Sequence, residues 1–209
     1  MGRECPRPSV DLTVSQGTML VSIARAALDQ AASAREPSFT GPEEGFLKAR
    51  RGAFVTLSRL DGELRGCIGF PYPVKPLGEA VFEAAVGAAT RDPRFPRVEA
   101  RELCSLTVEV SALTEPEDIE VEPLGRPGHV RVGTDGLIVT GFGRSGLLLP
   151  QVGAEMRLAP EEFLSLTCEK AGLPPDSWLS RGTKVQRFQA EVFREATPGG
   201  RVGGPTAPA

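Results

Sequence analysis

Between Arg51 and Phe70 the chain reads RGAFVTLSRLDGELRGCIGF, two runs rich in strand-forming residues on either side of Asp61-Gly62. An Asp-Gly pair readily adopts the positive φ values of a tight turn, so this stretch is expected to fold as a β-hairpin. With a two-residue turn, Ser58 faces Arg65, Leu57 faces Gly66 and Thr56 faces Cys67. Side chains alternate along a strand, which puts Thr56, Ser58, Arg65 and Cys67 on one face and Val55, Leu57, Leu64 and Ile68 on the other. The apolar face belongs to a core. The opposite face then gathers a guanidinium, a thiol and two hydroxyls, and Gly66 and Gly69 leave room for a ligand or a second backbone.

An Arg two residues from a Cys lies about 6 to 7 Å away at the backbone. Coulomb attraction at about 6 Å is on the order of 3 kcal/mol at an effective dielectric of about 20 and below about 1 kcal/mol in water. Arg65 therefore stabilises a thiolate only where this face is partly covered. Cys67 has two readings. It is a reactive thiol or ligand contact in a cleft, or it is a small buried hydrophobe, which is what free cysteines most often are.

The rest of the chain supplies the frame. Leu20, Ile23, Ala24, Ala27, Leu28 and Ala31 recur at helical spacing between Ser15 and Ala34, with Thr13 or Ser15 as the N-cap. Arg35 to Gly45 reads as a loop. A second helix is expected from Leu77 to Thr90, rich in small residues that allow close packing. Cys104 to Ala112 alternates cleanly as a half-buried strand, with Glu109 on its polar side. Val130–Val132 and Leu137–Thr140 read as short strands around Gly133-Thr134-Asp135-Gly136. The run Leu147 to Val152 has to sit inside something, Pro160 to Ala171 suits a helix, and Lys184 to Glu195 suits a final strand. This order favours an α+β fold with a mainly antiparallel sheet.

Other chemistry is sparser. Asp92-Pro93-Arg94-Phe95 reads as a proline-locked turn, with Asp92 and Arg94 as secondary site candidates beside Glu109. The segment Gly141-Phe142-Gly143-Arg144-Ser145-Gly146 matches G-x-G-x-x-G, but Leu147-Leu148-Leu149-Pro150 suits a strand or loop rather than the helix that fingerprint must open. A hairpin connection is expected there, with Arg144 as a further candidate for holding a small anion. The single histidine, His129, excludes a two-histidine metal site by count. Cys5, Cys67, Cys104 and Cys168 are too scattered for a zinc or dithiol motif, so no metal is expected and the thiols are expected to be free. A net charge of −3 and a pI near 5.4 weigh against nucleic acid as partner. No run is long enough to span a bilayer and no signal peptide is visible, so the expectation is a cytoplasmic protein without membrane contact. The expected organisation is a flexible N-terminus over 1–12, one domain over 13–196 and a disordered Pro/Gly tail over 197–209.

Leu64-Arg65-Gly66-Cys67-Ile68-Gly69, preceded by Gly52-Ala53-Phe54-Val55-Thr56-Leu57, closely resembles the signature of the AMMECR domain family, whose prokaryotic members are called AmmeMemoRadiSam system protein A. Asp92-Pro93-Arg94-Phe95, Asp135-Gly136-Leu137-Ile138-Val139 and Gly146-Leu147-Leu148-Leu149-Pro150-Gln151-Val152 come next in the family's order, so the resemblance covers about residues 15–195. It implies an α+β fold with a larger and a smaller subdomain around a cleft, and it makes the hexapeptide the functional element. In that reading Cys67 is a thiol nucleophile or ligand contact, Arg65 stabilises an anion or the thiolate, and Thr56, Ser58, Gly66 and Gly69 line the binding site for a small-molecule ligand. The family's activity is unassigned, so no reaction is implied. The system name points to Memo-like and radical-SAM proteins as partners, which leaves a non-catalytic adaptor as the alternative to an enzyme or enzyme accessory. No cofactor is expected, and the cysteines are not clustered as an iron–sulfur site requires.

Overall fold

A computed structural model describes residues 12–33 and 36–204. The expected flexible N-terminus therefore lies outside the described residues except for Leu12, as does the end of the tail beyond Gly204. Helix α1 (Val14–Ala32) opens at Thr13, whose hydroxyl accepts the Gln16 amide at 3.2 Å while the Gln16 side chain accepts the Thr13 amide at 2.9 Å. This reciprocal cap satisfies two donors that the first turn leaves free. A single turn, α2 (Gly45–Lys48), comes after the expected loop. Strands β1 (Ala53–Arg59) and β2 (Leu64–Phe70) form the hairpin, and α3 (Leu77–Thr90) has the bounds that its spacing predicts.

A 3-10 turn at Ala100–Ser105 leads into β3 (Leu106–Leu113), and β4 (Glu117–Asp118) is a two-residue edge. β5 (Gly136–Gly141) and β6 (Arg144–Leu148) make a second hairpin, with α4 (Pro150–Glu155) and α5 (Pro160–Lys170) after it. The chain ends its regular structure with β7 (Lys184–Phe188) and β8 (Ala190–Arg194).

These strands form two antiparallel sheets, ordered β2-β1-β3-β8 and β4-β7-β5-β6. In the larger subdomain α1 and α3 cover one face of the first sheet. Leu20, Leu28, Val55, Leu57, Val81 and Val108 belong to that core. In the smaller one α5 packs on the second sheet through Phe163, Leu164 and Cys168 against Leu137, Val139 and Val185. A third cluster joins them: Leu113, Ile138 and Phe188, with Phe54, Leu147, Leu149 and Ala190 packed around. The α+β class with two subdomains, expected from the element order and the resemblance, is the observed one.

Two local expectations need correction, and a third is refined. Val130–Val132 is no strand, because a 3-10 turn over Pro123–His129 runs into it and the buried Asp135 carboxylate takes the Arg131 amide at 3.0 Å, closing a turn instead. The apolar run Leu147–Val152, expected to sit inside something, packs half-buried against the cores and is divided between β6 and α4. The final strand breaks at Gln189, whose carbonyl accepts the Thr114 amide and whose amide donates to the Thr114 hydroxyl, so β7 and β8 lie in different sheets. The start of the Pro/Gly tail is paired: Gly203 donates to the Arg194 carbonyl, Ala196 donates to that of Arg201, and Val202 packs on the larger core. Among the described residues, no helix is long and apolar enough to cross a membrane.

Candidate functional site

The hairpin turns through Leu60, Asp61 and Gly62 rather than through Asp61-Gly62 alone. Gly62 donates to the Arg59 carbonyl at 3.0 Å, Arg59 donates to that of Glu63 at 2.8 Å, and Gly62 takes a φ of +90°. This is the three-residue loop with a left-handed last residue, and the Asp61 carboxylate steadies it by accepting the Glu63 amide. The extra turn residue is balanced by a bulge in β2. Thr56 faces Cys67 and Leu57 faces Gly66 as expected, but Ser58 faces Leu64, which leaves Arg65 unpaired between them.

That bulge changes what surrounds the thiol. Arg65 does not stand beside Cys67. Its side chain is buried, its Nε and Nη2 bond both carboxylate oxygens of Glu102 at 2.9 and 3.1 Å, and Nη2 also reaches the Arg97 carbonyl. The pair with Arg65 holds the Glu102 carboxyl below the usual carboxylate range. Leu64, expected in the core, is 38% exposed on the face that carries Ser58.

Gly66 points at the helices, where an added Cβ would lie 2.3 Å from the Ala88 carbonyl oxygen of α3. An added Cβ at Gly69 would lie 2.4 Å from the Phe54 ring, which lies over it, and 2.4 Å from the Ala53 carbonyl. Both glycines make room for the protein's own packing, so they do not leave the open approach expected of them.

On the face away from the helices, register sets four polar side chains in one row across the sheet: Cys67 on β2, Thr56 on β1, Glu109 on β3 and Arg194 on β8. The Thr56 hydroxyl donates to the Cys67 sulfur at 3.4 Å. Glu109 is buried and accepts from Arg194 Nε at 2.6 Å. The adjacent row contains Gly69, Phe54, Ser111 and Val192, and Phe54 packs against the Leu113, Ile138 and Phe188 cluster that joins the two subdomains. The joint with the smaller subdomain therefore lies on the same sheet face as the Cys67 row, one row away. Ser58 and Thr107 form the row on the other side of Cys67, linked by the Thr107 hydroxyl to the Ser58 carbonyl.

β2 is an edge strand, and its free edge at Cys67 is covered by Asp92 and Arg94. The buried Asp92 carboxylate accepts the Cys67 amide at 2.8 Å, the Arg94 amide at 3.1 Å, and Arg94 Nε and Nη2 at 2.9 and 2.7 Å. Arg94 Nη2 also reaches the Cys67 carbonyl. The bonds from Arg94, offset in part by burial, hold the Asp92 carboxyl far below the usual carboxylate range.

Burial pushes the Cys67 thiol above its ordinary value. The Thr56 hydroxyl and the Arg94 guanidinium act against this, while Asp92 and Glu109 add to it. The resting thiol is neutral near pH 7. It is also only half-buried, unlike Cys168, which is sealed in the smaller core.

Arg144 is elsewhere. It lies on β6 beside the Phe142-Gly143 turn, where both residues take positive φ, and it bonds the Gly172 carbonyl in a shallow concavity of about 680 Å³. The dinucleotide-like pattern is therefore a hairpin connection, as expected. Among the described residues, no group of three or more His, Cys, Asp and Glu is placed to hold a metal. Sequence reasoning missed Arg194 and Glu102. Each is defined only by its partner across the fold, so no local signal marks them.

Comparison with known proteins bears on the same segments. Residues 21–193 match the AMMECR1 family. A protein of Thermococcus gammatolerans is 52% identical over 194 residues, covering 89% of this chain and 93% of its own length. A protein of Methanothermobacter thermautotrophicus is 50% identical over 187 residues, covering 88% and 96%. The crystal structure of the uncharacterized protein PH0010 from Pyrococcus horikoshii superposes with a TM-score of 0.86 at 47% identity, covering 91% of this chain and 97% of that one.

Proposed function

The chain belongs to the AMMECR1 family, and from that premise we propose that it binds a small molecule in the cleft over the Cys67 row, as an enzyme or enzyme accessory. Cys67 is the nucleophile or a direct ligand contact in this reading, Thr56 is its hydrogen-bond partner, and Ser58 is a further contact at the side of the floor. Arg65 supports the strand from behind and does not meet the ligand.

The observation that carries the reading is the in-register row itself. Cys67 faces away from the helices, half-buried, hydrogen-bonded to a hydroxyl and next in line to a carboxylate–guanidinium pair. Because burial keeps the thiol neutral, attack by Cys67 requires its proton to leave for solvent or for a group brought by the ligand.

A metabolite screen by thermal shift tests this. The expected result is a compound that raises the melting temperature of the wild type and loses that effect in Cys67→Ser and Thr56→Val. A compound that stabilises all three proteins equally would remove the site.

One observation favours a second reading, an adaptor that presents this surface to protein partners such as Memo-like or radical-SAM proteins. Leu60 is 65% exposed at the hairpin end, and Leu64 is also exposed nearby. Loss of a partner complex in Leu60→Asp, with no small-molecule hit for the wild type, would select it.

A further inference from the structure

We propose that Arg94, held in place by Asp92, is the residue that receives an anionic group of the ligand beside the Cys67 thiol. The inference rests on the small-molecule reading of the cleft and names the class of ligand: one that carries a carboxylate or phosphate next to the atom that Cys67 meets.

The geometry comes from three facts. Arg65, the cation nearest to Cys67 in sequence, is buried and bonded to both oxygens of Glu102. Arg94 lies against the Cys67 peptide itself, with Nη2 directed at the Cys67 carbonyl, and its side chain is 49% exposed. Asp92 engages Nε and Nη2, which leaves the Nη1 side of the fork to meet another acceptor.

The same carboxylate takes the Cys67 amide, so one buried group fixes both the thiol's backbone and the guanidinium. A guanidinium anchored on one side by a carboxylate keeps planar donors for a second anion and loses little entropy in meeting it. The ring of Phe95, whose centroid lies 5.5 Å from the Arg94 guanidinium, limits how far the head group swings.

The test compares two alkylating probes of nearly equal size, iodoacetate and iodoacetamide. Each forms an S–C bond with the Cys67 thiolate as iodide leaves and the thiol proton goes to buffer, but only one carries a carboxylate. Peptide mass spectrometry reads the rates at Cys67 alone, apart from the exposed Cys104.

The wild-type ratio of iodoacetate to iodoacetamide rates is expected to exceed that of N-acetylcysteine. It should fall roughly three- to tenfold in Arg94→Gln, the range for a half-exposed charge a few ångströms away. Arg94→Lys retains most of the preference, and Arg101→Gln, at an exposed arginine away from the row, retains all of it. In the wild type alone, raising the salt to about 0.5 M should collapse the preference, a readout that does not depend on any variant folding.

Asp92→Asn separates placement from simple charge. Removing a negative charge would by itself raise the ratio, whereas releasing Arg94 lowers it, and a fall is expected. A wild-type ratio no higher than that of N-acetylcysteine, or one unchanged in Arg94→Gln, would overturn the role of Arg94, and a rise in Asp92→Asn would overturn that of Asp92. A raised ratio without any hit in the metabolite screen would count against the small-molecule reading and leave the anion preference standing.

Discussion

Arg65 and Arg94 show how little a residue's neighbours in sequence say about its charge partners. Alternation along an ideal strand places Arg65 beside Cys67, and one extra residue in β2 sends it to Glu102 instead. The cation that does reach the Cys67 peptide comes from a turn 27 positions away. At this scale the candidate site was half legible: Cys67 and Thr56 were placed correctly because their register lies beyond the bulge, while the roles of Arg65, Gly66 and Gly69 depended on packing that no local pattern encodes. Asp92 has a measurable signature. A carboxyl whose folded pKa is depressed stabilises the fold above its unfolded value, about 4, and that contribution drains away as pH falls toward the folded value. Asp92→Asn is accordingly expected to destabilise by about 1–3 kcal/mol in urea unfolding at pH 7, since a buried charged acceptor for the Cys67 amide is weakened. The gap between the two proteins should then narrow steadily below about pH 4. A gap independent of pH would show that the Asp92 charge does not hold this edge.

Among the elements, α1 and α3 were legible almost to the residue because their signals are local: a Thr13 cap, apolar spacing, and prolines that keep the chain from turning helical early. The hairpin was legible as a hairpin. Its bulge was not, because it balances an extra turn residue and lies where β2 meets α3. Gly66 sits so near the Ala88 carbonyl that strand and helix backbones touch there, and only a residue without Cβ permits the approach. Gly66→Ala should therefore destabilise by about 1–3 kcal/mol, the usual range for overpacking a tight contact, read as a lower urea midpoint. The same substitution at Gly45, where an added Cβ meets nothing within 4 Å, serves as its comparison. Equal effects at the two positions would mean that α3 yields easily and that the contact does not set the register.

For the whole molecule, the two sheets were the least legible feature. Phe188, Ala190 and Val192 alternate without interruption, so nothing in the pattern marks Gln189 as the point where the chain leaves one sheet for the other. The joint between subdomains includes Phe54, whose ring lies over Gly69 and which packs against the Leu113, Ile138 and Phe188 cluster. Phe54→Ala should cost about 2 kcal/mol, below the usual range for a fully buried Phe because this one is half-buried. The wild type is expected to unfold in one calorimetric transition and Phe54→Ala in two, as the subdomains uncouple. One transition of unchanged shape would place the coupling elsewhere. The order of the strands has a consequence for synthesis. The smaller subdomain lies between β3 and β8 in the chain, and β8 completes the larger sheet by pairing with β3. On the ribosome, β3 emerges with an open edge and keeps it until some eighty further residues have been added. An open edge of that kind invites pairing with other chains. The subdomain begun first is the one finished last, and the nascent protein needs either rapid folding of the smaller subdomain or temporary cover for β3 while it waits.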